Sequence, residues 1–204
     1  MNTRKISRHQ KSLSAVVNEL TRRGLIAIPQ GRETPNTDII CYNPQKTKSV
    51  SLKVRTYNPE KSSCIVGPKA AEFFGDNFFW VLAGVPLRDS SEHLEYYIIP
   101  NKVMAENEPK FHRKWLETPG RSGRAHRDTQ LRVVLLAPKD SPYYWDVLPY
   151  FDNWELIVEK LKSNILCRIE REQCQVTSQF SVLYYSTRRS SIRKSSRLLN
   201  APKL

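Results

Sequence analysis

Acidic side chains are scarce in this 204-residue chain: 20 Asp and Glu stand against 33 Lys and Arg, for a net charge of +13. A cationic surplus of that size favours a polyanionic partner: DNA, RNA or an acidic membrane surface. Long apolar runs are missing as well. None approaches the roughly 20 residues of a membrane span, which excludes a helical anchor and leaves nucleic acid ahead of membrane. The N-terminal MNTRKISRHQKSLS is basic but has no apolar stretch behind it, so it does not read as a secretory signal. The four cysteines, at 41, 64, 167 and 174, form no C-x-x-C pair and lie at no zinc-finger spacing from a histidine. That argues against a zinc module, and all four read as reduced thiols of a cytoplasmic protein. No internal repeat is present.

What the chain does have is enough for a core. Its apolar share is 39%, with four Trp, and its length suits one domain plus a tail. A first helix is expected from about Arg8 to Arg23. Leu13, Val16, Val17 and Leu20 fall on one stripe, and Gly24 ends it. Leu25–Ile28 reads as a short strand before Pro29. Pro68–Phe74 reads as a short helix, Gly75-Asp76-Asn77 as a turn and Phe78–Val85 as a buried strand. Leu87–Glu92 reads as a polar loop, and Glu95–Ile99 as a strand stopped by Pro100. A further helix is expected over about Pro109–Leu116, with proline at its tolerated first position. Leu131–Ala137 reads as a strand. Asn153–Lys162 reads as a closing helix with Trp154, Ile157, Val158 and Leu161 on one face. Phe78, Phe79, Trp80, Tyr96 and Tyr97 lie in strands so apolar that they are core rather than platforms for bases.

The stretch Asn36–Thr56 carries the chemistry. Ile39, Ile40 and Cys41 form a short apolar strand that starts at Asp38. Asn43-Pro44-Gln45-Lys46 is a turn. Val50, Leu52 and Val54 then alternate with Ser51, Lys53 and Arg55, the period of a half-buried strand. A turn centred near Lys46 pairs Ile39–Cys41 with Ser51–Arg55 and sets Asp38 across from about Val54, between Lys53 and Arg55. Those two side chains share a face. Taken alone, a carboxylate opposite two cations is a cross-strand ion pair. It is also part of what phosphodiester cleavage requires. That reaction uses a hard cation on oxygen ligands to polarise the phosphoryl group and a neighbouring positive charge for the transition state.

The layout resembles the core of the PD-(D/E)XK nuclease-like superfamily, in particular a branch of small bacterial proteins. The matching pieces are Glu33-Thr34-Pro35-Asn36-Thr37-Asp38, Leu52-Lys53-Val54-Arg55-Thr56, Asn77-Phe78-Phe79-Trp80-Val81-Leu82 and Tyr96-Tyr97-Ile98-Ile99-Pro100. After them come His112-Arg113-Lys114-Trp115 and Asp152-Asn153-Trp154-Glu155-Leu156. Their order and spacing carry the resemblance, over roughly residues 10 to 160. It implies an α/β fold, a restriction-endonuclease-like mixed sheet flanked by helices over residues 1–162; beyond it, composition makes residues 163–204 a basic, partly disordered C-terminal extension. It further implies Asp38, Lys53 and Arg55 as the catalytic positions. A Mg²⁺ or Mn²⁺ ion would sit on Asp38, its shell completed by Glu33 in the preceding loop or Glu19 on the first helix. The sequence departs from the pattern where it matters most. Lys53 stands where the family has Gln or Glu, and Arg55 where it has Lys. A protonated Lys53 is no metal ligand, and Arg55 clamps phosphate but does not act as a base. A shifted frame, Ser51-Leu52-Lys53, keeps the lysine and puts a hydroxyl in place of the acid.

Nucleic-acid contacts are expected from Arg32 in the loop before Asp38, and from Arg113 and Lys114 beside His112. The segment Thr118–Arg132 adds Arg121, Arg124 and Arg127 on a glycine-containing backbone suited to phosphate contact. His112 and His126 are candidate proton carriers. From Ser186 the chain has no acid, and Arg188, Arg189, Arg193, Lys194 and Arg197 make a cationic tail. The reading is a DNA- or RNA-binding protein of nuclease-like fold with a degenerate site, acting as a binder or as a subunit of a protein complex. An active metal-dependent endonuclease is the alternative, and an adaptor docking through its basic tail is a third.

Overall fold

In the computed structural model of this chain, residues 7–31, 33–87, 94–120, 122–137 and 141–162 are described. Helix α1 (Arg8–Arg22) opens on a capping box: Gln10 N donates to Ser7 Oγ at 3.2 Å, and Ser7 N to Gln10 Oε1 at 3.0 Å. It ends ahead of Gly24, whose φ of +76° suits glycine. Strands β1 (Ile26–Pro29), β2 (Ile39–Tyr42) and β3 (Ser49–Tyr57) follow, each antiparallel to the one before. After the short β4 (Ser63–Ile65), β5 (Phe78–Gly84) lies parallel to β3, and β6 (Glu95–Pro100) pairs antiparallel with β5. Helix α2 (Asn101–Glu117), strand β7 (Val133–Leu135) and helix α3 (Glu155–Leu161) complete the described part. The main sheet is five-stranded and mixed, in the order β1-β2-β3-β5-β6, while β4 and β7 form a separate antiparallel pair. This is the expected mixed α/β sheet flanked by helices.

Alternation along β3 divides the core. Val50, Leu52 and Val54 are buried with Val16 and Leu20 of α1 and Ile157 and Leu161 of α3. On the opposite face Phe78, Trp80 and Leu82 pack with Met104 of α2, Cys64 of β4 and Val134 of β7. Each such fully buried side chain contributes about 1.5–3 kcal/mol. Every residue of β5 is buried, as both faces of a central strand demand. The five aromatics read as core, Phe78, Phe79, Trp80, Tyr96 and Tyr97, are all buried.

Several expectations need correction. Helix α2 begins at Asn101 and holds Pro109 in its interior. Pro109 lacks an N–H and costs the helix one bond. Its N-terminal half is anchored nevertheless: Met104 is buried, and Asn101 Nδ2 donates to Glu72 O at 2.9 Å. Of Pro68–Phe74 only Pro68–Ala71 is helical, as a 3₁₀ turn. The expected strand Leu131–Ala137 narrows to Val133–Leu135, because its partner β4 is itself three residues long. The hairpin register is shifted by one. Ile39 pairs with Leu52 and Cys41 with Val50, so Asp38 falls opposite Lys53 rather than Val54. The loop decides this: Asn43 Oδ1 accepts from Thr47 N at 2.8 Å and Lys48 N at 3.0 Å, holding Asn43–Lys48 as one closed unit.

Candidate functional site

Asp38 lies one residue before β2, where β2 and β3 begin to part. Its own N–H donates to Leu52 O at 2.8 Å, the last rung between the strands. One step further the side chain takes over. Val54 N donates to Asp38 Oδ2 at 2.8 Å, and Lys53 Nζ donates to Asp38 Oδ1 at 2.9 Å. The two side chains are 17% and 18% exposed, so this pair is mostly withdrawn from water. Lys53 shares a sheet face with Trp80, its partner on β5, and Arg55 with Leu82. The Arg55 guanidinium lies over the Trp80 ring at 5.9 Å, and its Nε donates to Val66 O at 3.1 Å. The structure thus brings Asp38, Lys53 and Arg55 to one face, with a net charge of one positive unit.

The implied Mg²⁺ or Mn²⁺ does not fit these residues. Both Asp38 oxygens already hold donors, and Lys53 Nζ sits against the oxygen a metal would need. Among the described residues no three His, Cys, Asp or Glu side chains are grouped to share a cation. Glu33 is exposed in its loop. Glu19 belongs to α1, which covers the other face of the sheet, and its carboxylate binds Arg22 at 2.9 Å and Arg23 as well. The expected shell of Asp38, Glu33 and Glu19 is therefore not assembled.

Of the expected phosphate contacts, Arg113 and Lys114 are exposed on α2, and Arg124 and Arg127 are exposed in the segment after it. Arg32, Arg121 and the tail residues Arg188, Arg189, Arg193, Lys194 and Arg197 lie outside the described residues. His112 Nε2 donates to Asp128 Oδ1 at 3.0 Å, and that bond holds the exposed Asp128 carboxyl below its usual range. His126 stacks on Trp115 with ring centroids 4.0 Å apart. Among the described residues neither histidine contacts Asp38. Cys41 and Cys64 are free thiols, and burial pushes both up to about 12, so they stay protonated and unreactive. Cys167 and Cys174 lie outside the described residues.

Sequence reasoning passed over Val66, Glu108 and Arg132. Val66 holds Arg55 through its carbonyl and donates its N–H to Arg132 O at 3.0 Å. Glu108 is buried and meets Arg132 Nε at 3.2 Å. A glutamate next to proline in a helical stretch gave no local signal, since its partner is 24 positions away in the numbering from Glu108 to Arg132.

No protein-family model matches the chain, and no curated protein matches it. Among solved structures it is similar to a bacterial homing endonuclease, I-Ssp6803I, at 15% identity and a TM-score of 0.44. The match covers 74% of this chain and 90% of that one. No helix among the described residues is long and apolar enough to cross a membrane.

Proposed function

We propose that this chain binds DNA or RNA through the Asp38/Lys53/Arg55 face and does not cleave it, acting alone or as a subunit of a larger complex. The observation that carries the reading is the state of Asp38. Each of its oxygens accepts a hydrogen bond, one from the Lys53 ammonium and one from the Val54 N–H, and the ammonium against Oδ1 opposes a second cation there. Lys53 is braced, Arg55 is presented from an aromatic base, and the chain as a whole is strongly cationic. Phosphate meets such a surface through charge and guanidinium geometry without base reading. Arg113, Lys114, Arg124 and Arg127 add exposed cations in this reading, Arg32 and Arg121 are expected to add charge, and the tail adds sequence-independent attraction.

The test is fluorescence anisotropy on labelled DNA and RNA across a salt series, with a cleavage assay in Mg²⁺ and in Mn²⁺. Expected are salt-sensitive binding, a shallower slope of log K on log[salt] after truncation at Ser186, and no cleavage. Asp38→Ala is expected to leave affinity unchanged or raise it, since a negative charge facing phosphate is lost. Cleavage that disappears in Asp38→Ala would replace this reading with a metal-dependent nuclease. Absence of any binding would leave an adaptor.

A further inference from the structure

A second feature of the molecule lies between α2 and the small sheet. A cavity of about 400 Å³ is lined by Glu108, Phe111 and Trp115 of α2, by Leu131 and Val133, and by Tyr143. That volume falls within the roughly 300–1,000 Å³ usual for small-ligand sites, and the walls are mostly apolar and aromatic, as such sites require. Thr129, Ser141 and the His112 ring add polar groups to them, and Glu108 adds a carboxylate. The Glu108 side chain is 3% exposed, and its Oε1 receives Arg132 Nε at 3.2 Å. Its Oε2 is buried with no hydrogen-bond partner among the described residues. A buried carboxylate oxygen without a donor is costly, so it marks a position where a donor is to be supplied.

The neighbours do not supply it. Arg132 is committed elsewhere: its Nη2 reaches Asp128 at 3.5 Å, and its Nη1 donates to Leu131 O at 3.2 Å and to Thr129 O. His112 is held by the same Asp128. The wall is rigid too, because Trp115 is stacked by His112 at 5.5 Å and by His126 at 4.0 Å. The segments beside the cavity carry Arg113, Lys114, Arg124 and Arg127 exposed, against the exposed Glu117 and Asp128. Val66 joins the two regions, with Arg55 on its carbonyl and Arg132 on its N–H.

A mostly apolar slot with one carboxylate acceptor, beside segments that carry four exposed cations, matches a nucleotide whose base enters while its phosphates stay outside. We propose that this cavity takes one unstacked, amino-bearing nucleobase of a bound strand, with Glu108 Oε2 accepting from the amino group. The proposal rests on the nucleic-acid reading above. Cytosine, adenine and guanine carry such an amino group. Thymine and uracil place carbonyl oxygens there, and an oxygen facing a carboxylate is repelled.

The experiment uses the full chain and four labelled duplexes of one sequence: fully paired, with a bulged cytosine, with a bulged thymine, and with an abasic bulge. Anisotropy is expected to show the cytosine bulge bound about tenfold more tightly than the thymine or abasic bulge. In Glu108→Gln the amide offers a donor as well as an acceptor, so the cytosine-to-thymine ratio should fall to about twofold or less. The wild-type comparison stands whether or not that variant folds. Equal binding of all four duplexes overturns the base pocket and leaves the nucleic-acid reading intact. No binding to any of them overturns both. Displacement of the bulged duplex by free deoxycytidine at the duplex's own concentration would make the cavity a free-nucleoside site and overturn the strand-bound base.

Discussion

Removing Asp38 should destabilise the fold far more than an exposed ion pair would, because its partners have little water to turn to. The Lys53 side chain is only 18% exposed, and its Nζ lies 2.9 Å from Asp38 Oδ1. At an effective dielectric near 20, unit charges at that separation attract by about 6 kcal/mol before desolvation is charged against them. Desolvation of two mostly buried ions takes back much of this. What remains after deletion of one partner is an uncompensated ammonium, to which the Val54 N–H, deprived of its 2.8 Å acceptor, adds a further cost. We expect Asp38→Ala to lose about 2–4 kcal/mol. Lys53→Met should lose less, about 1–2 kcal/mol, since methionine keeps the apolar stem and Asp38 retains its backbone donor. The double variant is expected to be more stable than the sum of the two losses implies, with a coupling of about 1–3 kcal/mol. Urea unfolding of all four proteins measures this, provided the slope m is shared. Strict additivity, with Asp38→Ala within about 0.5 kcal/mol of wild type, would show a solvated carboxylate and refute the reasoning.

Two further outcomes follow from the same residues. Lys53→Glu with Arg55→Lys sets a second carboxylate opposite Asp38 and removes the cation from it, so calorimetry should register Mn²⁺ binding that the wild type shows little of; tight binding by wild type with none gained would point to a shell containing Glu33 or Glu19. Burial holds the Glu108 carboxyl above its ordinary 4.5, against the downward pull of Arg132 and His112 and with an upward push from Asp128. The folded state therefore keeps a proton that the unfolded chain has lost. This contribution is full below about pH 4.5 and disappears as pH rises through the folded value. Glu108→Gln should flatten the decline in urea stability across that window, and identical pH slopes for the two proteins would refute it.

How much of this was legible beforehand depended on how local each cause is. The hairpin was, since alternation of Val50, Leu52 and Val54 with Ser51, Lys53 and Arg55 is a property of the strand alone. Its register was not, because one side-chain oxygen of Asn43 binds two backbone N–H groups and moves the centre of the loop. The first half of α2 was hidden by Pro109, which reads as a start and sits in the interior. Glu108 and Arg132 find each other only after α2 has packed beside β7, so no window of sequence contains the pair.

The candidate site obeys the same division, and it shows why a single register step matters. With Asp38 between Lys53 and Arg55, either cation could serve the carboxylate and the other would be free to move. With Asp38 directly opposite Lys53, the nearest ammonium is committed, and Arg55 is left to Val66 and Trp80. The carboxylate then works as a brace on one cation, while the other is half-buried against Trp80 and held by the Val66 carbonyl. Glu19, which shares α1 with the apolar stripe, is carried to the far side of the sheet by the very packing that makes the helix recognisable. A metal shell would have needed oxygen ligands on the Lys53 face. Asp38 instead carries Lys53 and the Val54 N–H on its oxygens, and the other carboxylate beside β3 on that face, Glu95, accepts from the Tyr57 hydroxyl at 3.0 Å.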